Sequence, residues 1–184
     1  MKPQRSLKAR ALQYLAQREQ SRLELRRKLL PHAQAEEAVA AAAAAADGHG
    51  GASDVSARAG ALARVEAVLD WLTAHDYLSQ ERFAESRVHA RASRFGNLRI
   101  RQELKQHAVA LAPGAAQALK DTELDRASAV RARRFHEPPS GAAEQARQMR
   151  FLMGRGFSPD VIRRVLRDAA APAAEPVEPA ASPD

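Results

Sequence analysis

Arginines at helical spacing are the residues in this sequence best placed to do chemistry. Arg87, Arg91 and Arg94 recur four and three positions apart, so on a helix turning 100° per residue they lie within about 60° of one another. They flank a stripe that Ala84 and Val88 would bury. Arg99, Arg101 and Lys105 follow on the next helix, whose start at Asn97 would leave backbone N–H groups pointing outward as an anion site. Guanidinium groups so arranged suit bidentate contact with a phosphate backbone or with carboxylates lining a protein groove. The plainer alternative is a solvated face in which Glu85 and Glu103 serve as local partners. Arg22, Arg26, Arg27 and Lys28, and later Arg147, Arg150, Arg163, Arg164 and Arg167, raise the same choice.

Catalytic and metal chemistry has little to build on. The six histidines (32, 49, 75, 89, 107 and 136) are dispersed, and no His pair with a carboxylate stands at metal-ligand spacing. Neither phosphate-loop pattern, GxxxxGK[ST] or GxGxxG, occurs, and the glycine-rich stretch 47–51 follows no strand. With no cysteine, disulfides, thiolate nucleophiles and Cys-ligated zinc are excluded. His75 beside Asp76 falls in an interhelical turn, where capping is the expected role. Trp71, with Tyr77 and Phe83 near it, is expected to pack between helices rather than to stack bases. The expectation is a protein that is not an enzyme and needs no cofactor.

The scaffold that must position the arginines reads as all-α. Ala, Leu, Arg, Gln and Glu dominate, and aromatic residues make up only 4%, a balance that favours helix over strand. The formal charge is +7; because 169–184 holds three acids and no base, residues 1–168 carry +10. Such an excess favours a polyanionic partner. The basic start runs into Leu12, Gln13 and Tyr14 without an apolar signal core, and the longest weakly apolar run, 38–46, falls far short of the roughly 20 residues that span a bilayer. A cytoplasmic protein with no membrane contact is expected.

Apolar residues fall three and four apart along most of the chain. Leu7, Ala11, Leu12 and Leu15 share a first face. Ser21 with Glu24 reads as a capping box opening a helix with Leu25 and Leu29, ending before Pro31. Residues 34–60, near-pure Ala followed by a Gly- and Asp-rich stretch, read as an insertion, its Ala half helical but burying little. Val65, Val68, Leu69 and Leu72 define a third helix. Residues 80–94 carry the next, then Ile100, Leu104, Ala108 and Leu111 another. Between 115 and 120 the sequence is poor in large apolar groups, which leaves a third helix of this middle unit open. Leu124–Phe135 and a helix with Ala146, Met149, Leu152 and Met153 follow. Ser158, Pro159 and Asp160 then mark the strongest helix start.

Leu29, Leu104 and Leu152 hold equivalent places, each followed by a small residue four positions on (Ala33, Ala108, Gly156). Leu104 and Leu152 are 48 positions apart, and Leu29 and Leu104 are also 48 apart once the 27 residues 34–60 are set aside. The pattern predicts three tandem three-helix repeats of helix-turn-helix type in an elongated, curved array. The repeats are 1–80 (interrupted by 34–60), 81–120 and 121–168, followed by a disordered acidic tail, 169–184. No sustained heptads suggest a coiled coil, so a monomer is expected.

Three stretches, 11–30, 69–109 and 147–167, resemble successive units of the RecX family. The central one is the most specific: Tyr77-Leu78, Arg82-Phe83-Ala84, Gly96, Ile100, Glu103 and Leu104 stand in the family's order and spacing. The insertion, the tail and the apolar-poor segment 115–120 depart from it. The resemblance implies a helical regulator that lies along the RecA recombinase filament on single-stranded DNA and restrains its extension, its ATP hydrolysis and strand exchange, in recombination, DNA repair and the SOS response. Whether contact falls on recombinase, on DNA or on both stays open. Two other readings also stay open: a helical DNA binder acting without a recombinase, and a solenoid-like protein scaffold.

Overall fold

The computed structural model describes residues 5–46 and 54–171, so the glycine-rich stretch 47–53 and most of the acidic tail, 172–184, lie outside the described residues. Among those described, every regular element is an α-helix: α1 (Leu7–Gln17), α2 (Arg22–Ala46), α3 (Asp54–Ala74), α4 (Gln80–Ala92), α5 (Asn97–Gln106), α6 (Pro113–Asp121), α7 (Glu123–Ala132), α8 (Ala142–Gly154) and α9 (Pro159–Ala170). They form two compact units. The first runs through Arg91 and takes in Ile100–Gln117; the second comprises Ala92–Arg99 and the chain from Ala118 onward.

In the first unit the apolar faces of α1, α2 and α3 meet. Leu7, Ala11, Leu25, Leu29, Val65, Leu69 and Leu72 are buried together with Leu78 of the following turn. Ser6 caps α1 by accepting from the Ala9 N–H at 3.2 Å. Ser21 caps α2 by accepting from the Glu24 N–H at 3.1 Å, which is half of the expected capping box. The Glu24 carboxylate is taken by Arg18, at 3.1 Å from Nη1, and lies 3.8 Å from Lys28.

Contrary to the sequence expectation, α2 does not stop before Pro31; the proline sits inside a 25-residue helix. A proline there forfeits one backbone hydrogen bond to the preceding turn. The helix continues because Ala33 is wholly buried in the core cluster that also holds Ala61, because the alanines beyond it have the best helix propensity, and because Arg64 of α3 binds both Glu36 and, at 3.0 Å, Glu37. Arg22, 2.7 Å from Asp70 and 2.5 Å from Glu66, ties the opposite end. The described part of 34–60 therefore extends an antiparallel α2–α3 hairpin.

Helices α3, α5 and α8 end in the same way. Tyr77 N–H donates to Leu72 C=O at 2.9 Å, Val109 N–H to Leu104 C=O at 3.1 Å, and Phe157 N–H to Leu152 C=O at 3.3 Å. In each case the preceding residue takes a left-handed conformation: Asp76 (φ 58°), Ala108 (φ 55°) and Gly156 (φ 77°). This six-to-one closure satisfies carbonyls that a helix end would otherwise strand. Leu104 and Leu152 are thus equivalent, as their spacing predicts. Leu29 is not, because α2 runs on; within residues 1–80 the residue that shares the motif is Leu72.

Candidate functional site

The six basic residues singled out by spacing divide between the two units. Arg87, Arg91, Arg101 and Lys105 belong to the first, Arg94 and Arg99 to the second.

In the first unit α4 buries Phe83 and Ala84, and α5 buries Ile100 and Leu104. Arg87 lays its guanidinium 5.3 Å from the Phe83 ring centre. Arg91 is engaged locally, its Nε 2.9 Å from Glu103 Oε2, so for this one arginine the local partner named by sequence is realised. Arg101 and Lys105, one turn apart on α5, are exposed and make no ion pair with another described residue. Both border an open groove of about 450 Å³ floored by Leu104, Val109, Leu111 and Ala116.

Beneath Arg87 lies His107, its ring 5.0 Å from that of Phe83, with Nδ1 3.1 Å from Ser21 Oγ. Burial, then the positive charge of Arg87, pushes the His107 pKa below its usual value. A neutral ring fits the bonding: Ser21 Oγ already accepts from Glu24 N–H, so its hydroxyl proton is free to be donated to Nδ1. Arg82, from the most specific run of the sequence, proves to be a clamp. Its guanidinium donates to Glu19 Oε1 at 2.9 Å, to Asp76 Oδ1 at 2.9 Å and to the Asp76 carbonyl at 2.8 Å. Asp76 therefore anchors Arg82 instead of capping a helix; it is His75 whose Nδ1 meets a carbonyl of the last turn of α3, that of Trp71, at 2.9 Å. Trp71 packs on the core and stacks with His75 and Tyr77 at 4.2 and 5.6 Å.

In the second unit Arg94 and Arg99 flank the Phe95 ring at 5.8 and 4.6 Å, each a cation over an aromatic face. Here the structure corrects one expectation. The N-terminus of α5 is not an open anion site, because an anion of the protein's own already fills it. The carboxylate of Glu123, 3% exposed, accepts from Asn97 N–H and Asn97 Nδ2, both at 3.0 Å. It also accepts from Ser158 N–H at 3.2 Å and from the Ser158 hydroxyl at 3.1 Å. One buried acid therefore serves the N-termini of both α5 and α9. Ser158 occupies the capping position expected of it, yet its hydroxyl is spent on Glu123 and makes no cap bond within α9.

Arg126 completes this knot, donating to the carbonyls of Phe95 (2.9 Å) and Leu119 (2.8 Å) and to Asn97 Oδ1 (2.6 Å). Burial lowers its pKa, and the nearby Glu123 charge partly offsets that. Gly96 lies backbone to backbone on the α8–α9 turn: its N–H donates to Arg155 C=O at 2.9 Å and Leu98 N–H to Gly156 C=O at 3.0 Å. A Cβ on Gly96 would overlap the backbones of Gly156 and Phe157. Sequence reasoning passed over Glu123 and Arg126; their one local sign was a pair of opposite charges three apart at the start of a helix.

No group of three or more His, Asp or Glu among the described residues could hold a metal ion, and no described helix is long and apolar enough to cross a membrane.

Comparison with known proteins decides the lineage. Residues 79–110 match the model of the second three-helix domain of RecX and residues 121–166 that of the third. Over 168 residues, 90% of each chain, the sequence is 49% identical to the regulatory protein RecX of Leptothrix cholodnii. It is 46% identical over 167 residues to that of Ralstonia nicotianae, covering 89% of this chain and 88% of the relative. The chain belongs to the RecX family. A crystal structure of RecX from Lactobacillus salivarius shares the fold at a TM-score of 0.58 and 17% identity, covering 89% of this chain and 94% of that one. Within the RecX family frame, the knot around Glu123 joins the start of the second domain's α5 to the third domain's α9. The cation-bearing helices α4 and α5 fall within the second domain.

Proposed function

We propose that this protein binds the RecA recombinase filament on single-stranded DNA and restrains filament extension, ATP hydrolysis and strand exchange, as a cytoplasmic, monomeric, non-enzymatic regulator without a cofactor. The observation that carries this reading is near-full-length identity of 49% and 46% to proteins named as the regulatory protein RecX. The three-helix units 1–80, 81–120 and 121–168 are proposed as successive segments along the filament, within recombination, DNA repair and the SOS response.

The surface chemistry supports it. Arg87, Arg94, Arg99, Arg101 and Lys105 hold their charge at or near the surface, where stacked or unpaired cations can meet carboxylates or phosphates. Arg91, held by Glu103, must exchange that partner to contribute.

The test is binding to filaments assembled by the host recombinase, beside binding to bare single-stranded DNA, from about 50 to 200 mM salt. Contact through several phosphates weakens steeply over that range. Filament binding at 200 mM salt with negligible binding to bare DNA supports a recombinase contact. Equal, strongly salt-dependent binding to both would indicate a DNA binder acting without the recombinase, and binding to neither a protein scaffold.

A further inference from the structure

Four of the six basic residues have a use within the protein: Arg91 pairs with Glu103, Arg87 lies on Phe83, and Arg94 and Arg99 lie on Phe95. Arg101 and Lys105 have no such neighbour. They stand side by side on α5 along one rim of the groove floored by Leu104, Val109, Leu111 and Ala116. The cause of the groove is legible in the sequence. Helix α5 ends at Gln106 and the chain turns through left-handed Ala108, and the stretch after it, Ala110, Leu111, Ala112 and then Ala115 and Ala116, offers mostly methyl groups where larger side chains would fill the space. The result is about 450 Å³ of open, mainly apolar space beside two unpaired cations, large enough for one or two aliphatic side chains.

We infer that this groove is a docking site for a segment of a recombinase protomer in which an aliphatic side chain is flanked by carboxylates, the aliphatic group seated on Val109 and Leu111 and the carboxylates on Arg101 and Lys105. Charge complementarity selects the occupant. An apolar floor rewards a hydrophobic anchor, and the two cations reward acids on either side of it while repelling a basic segment. A single-stranded polyanion would use the cations but leave the apolar floor empty, since the described lining offers no aromatic ring on which to stack a base. The inference rests on the reading of the partner as recombinase.

The test uses the full-length chain and filaments of the host recombinase at 200 mM salt, with bare single-stranded DNA in parallel. Three variants are compared: Arg101→Glu with Lys105→Glu, Ala116→Trp to fill the groove, and Arg163→Glu with Arg164→Glu as a control of equal charge change on exposed α9 positions. Helicity and melting are checked for each. The groove variants are each expected to weaken filament binding about tenfold or more, about 1.4 kcal/mol, while the control stays within about threefold and bare-DNA binding changes no more than in the control. Filament binding by both groove variants equal to the control would overturn the docking site while leaving the recombinase reading intact. Parallel loss on bare DNA would assign the cations to phosphate and overturn it too. If the unaltered protein fails to bind filaments, the recombinase reading itself falls. Self-association abolished by the charge reversal would give the groove to a second copy of the chain. Tighter binding on removal of 172–184, with no further effect of the reversal, would give it to the chain's own acidic end.

Discussion

Replacing Glu123 by Gln perturbs one atom and should cost far more than a surface change. In the native arrangement Oε1 accepts from the two backbone N–H groups, Asn97 and Ser158, and Oε2 from Asn97 Nδ2 and the Ser158 hydroxyl. A glutamine can keep its carbonyl at the first position, which places its NH2 at the second. The Ser158 hydroxyl can turn to accept from it. Asn97 cannot, because its Oδ1 is held by Arg126 at 2.6 Å and flipping the amide would set NH2 against a guanidinium. One donor–donor clash remains in a buried site, and the compensating charge for half-buried Arg126 is lost. A stranded buried donor costs about 1–3 kcal/mol, so Glu123→Gln is expected to cost about 2–3 kcal/mol. Glu123→Ala, which strands all four donors, should cost about 3–5 kcal/mol. Set against a total stability of about 5–15 kcal/mol, Glu123→Gln lowers the melting temperature by about 4–12 °C and Glu123→Ala by about 6–20 °C, at about 2–4 °C per kcal/mol for a chain of this size. Urea unfolding followed by circular dichroism measures the loss, and fluorescence of Trp71, the sole tryptophan, follows the first unit separately. Unfolding of Glu123→Gln within about 0.5 kcal/mol of the parent would refute a load on these hydrogen bonds.

Gly96→Ala should destabilise by about 2 kcal/mol or more, since the added methyl overlaps the Gly156–Phe157 backbone; a thermal melt checks this, and a loss under about 0.5 kcal/mol would contradict the close approach. Because folding depresses the His107 pKa, the unfolded chain binds that proton more readily. The contribution of His107 is therefore fully present above its unfolded value of about 6.5 and declines as pH falls through that value; His107→Gln should flatten the fall in urea midpoint between about pH 7.5 and 5. Changing Arg87, Arg91 and Arg94 together to Ala should weaken filament binding with helicity and melting nearly unchanged, as measured by sedimentation with filaments and by circular dichroism.

Local signals were readable where local physics decides. Val65, Leu69 and Leu72 announced α3, and Pro159 with Asp160 announced α9, because a helix face and a first turn are short-range matters. The end of α2 is not legible at Pro31 because what overrides the proline is tertiary: Ala33 buried in the cluster with Ala61, and Arg64 gripping Glu36 and Glu37. Repeat spacing finds the shared ending of Leu104 and Leu152 but assigns Leu29 to it, since within residues 1–80 the motif sits at Leu72, beyond the insertion. At Asn97 sequence rightly found a helix start with unsatisfied N–H groups. It could not show that Glu123, 26 residues on, already satisfies them. The basic residues were legible as a set; which of them are spent on Glu103, Phe83 and Phe95 depends on side-chain geometry that no spacing encodes.

The proposed role is tested most directly by single-strand-dependent ATP hydrolysis of the host recombinase, followed as this protein is titrated in at fixed DNA and moderate salt. Inhibition at less than one copy per recombinase protomer, without matching coverage of bare DNA, is the predicted result and marks a regulator acting on filament growth or disassembly. Undiminished hydrolysis at saturating protein would contradict it and leave family membership as a statement about fold alone.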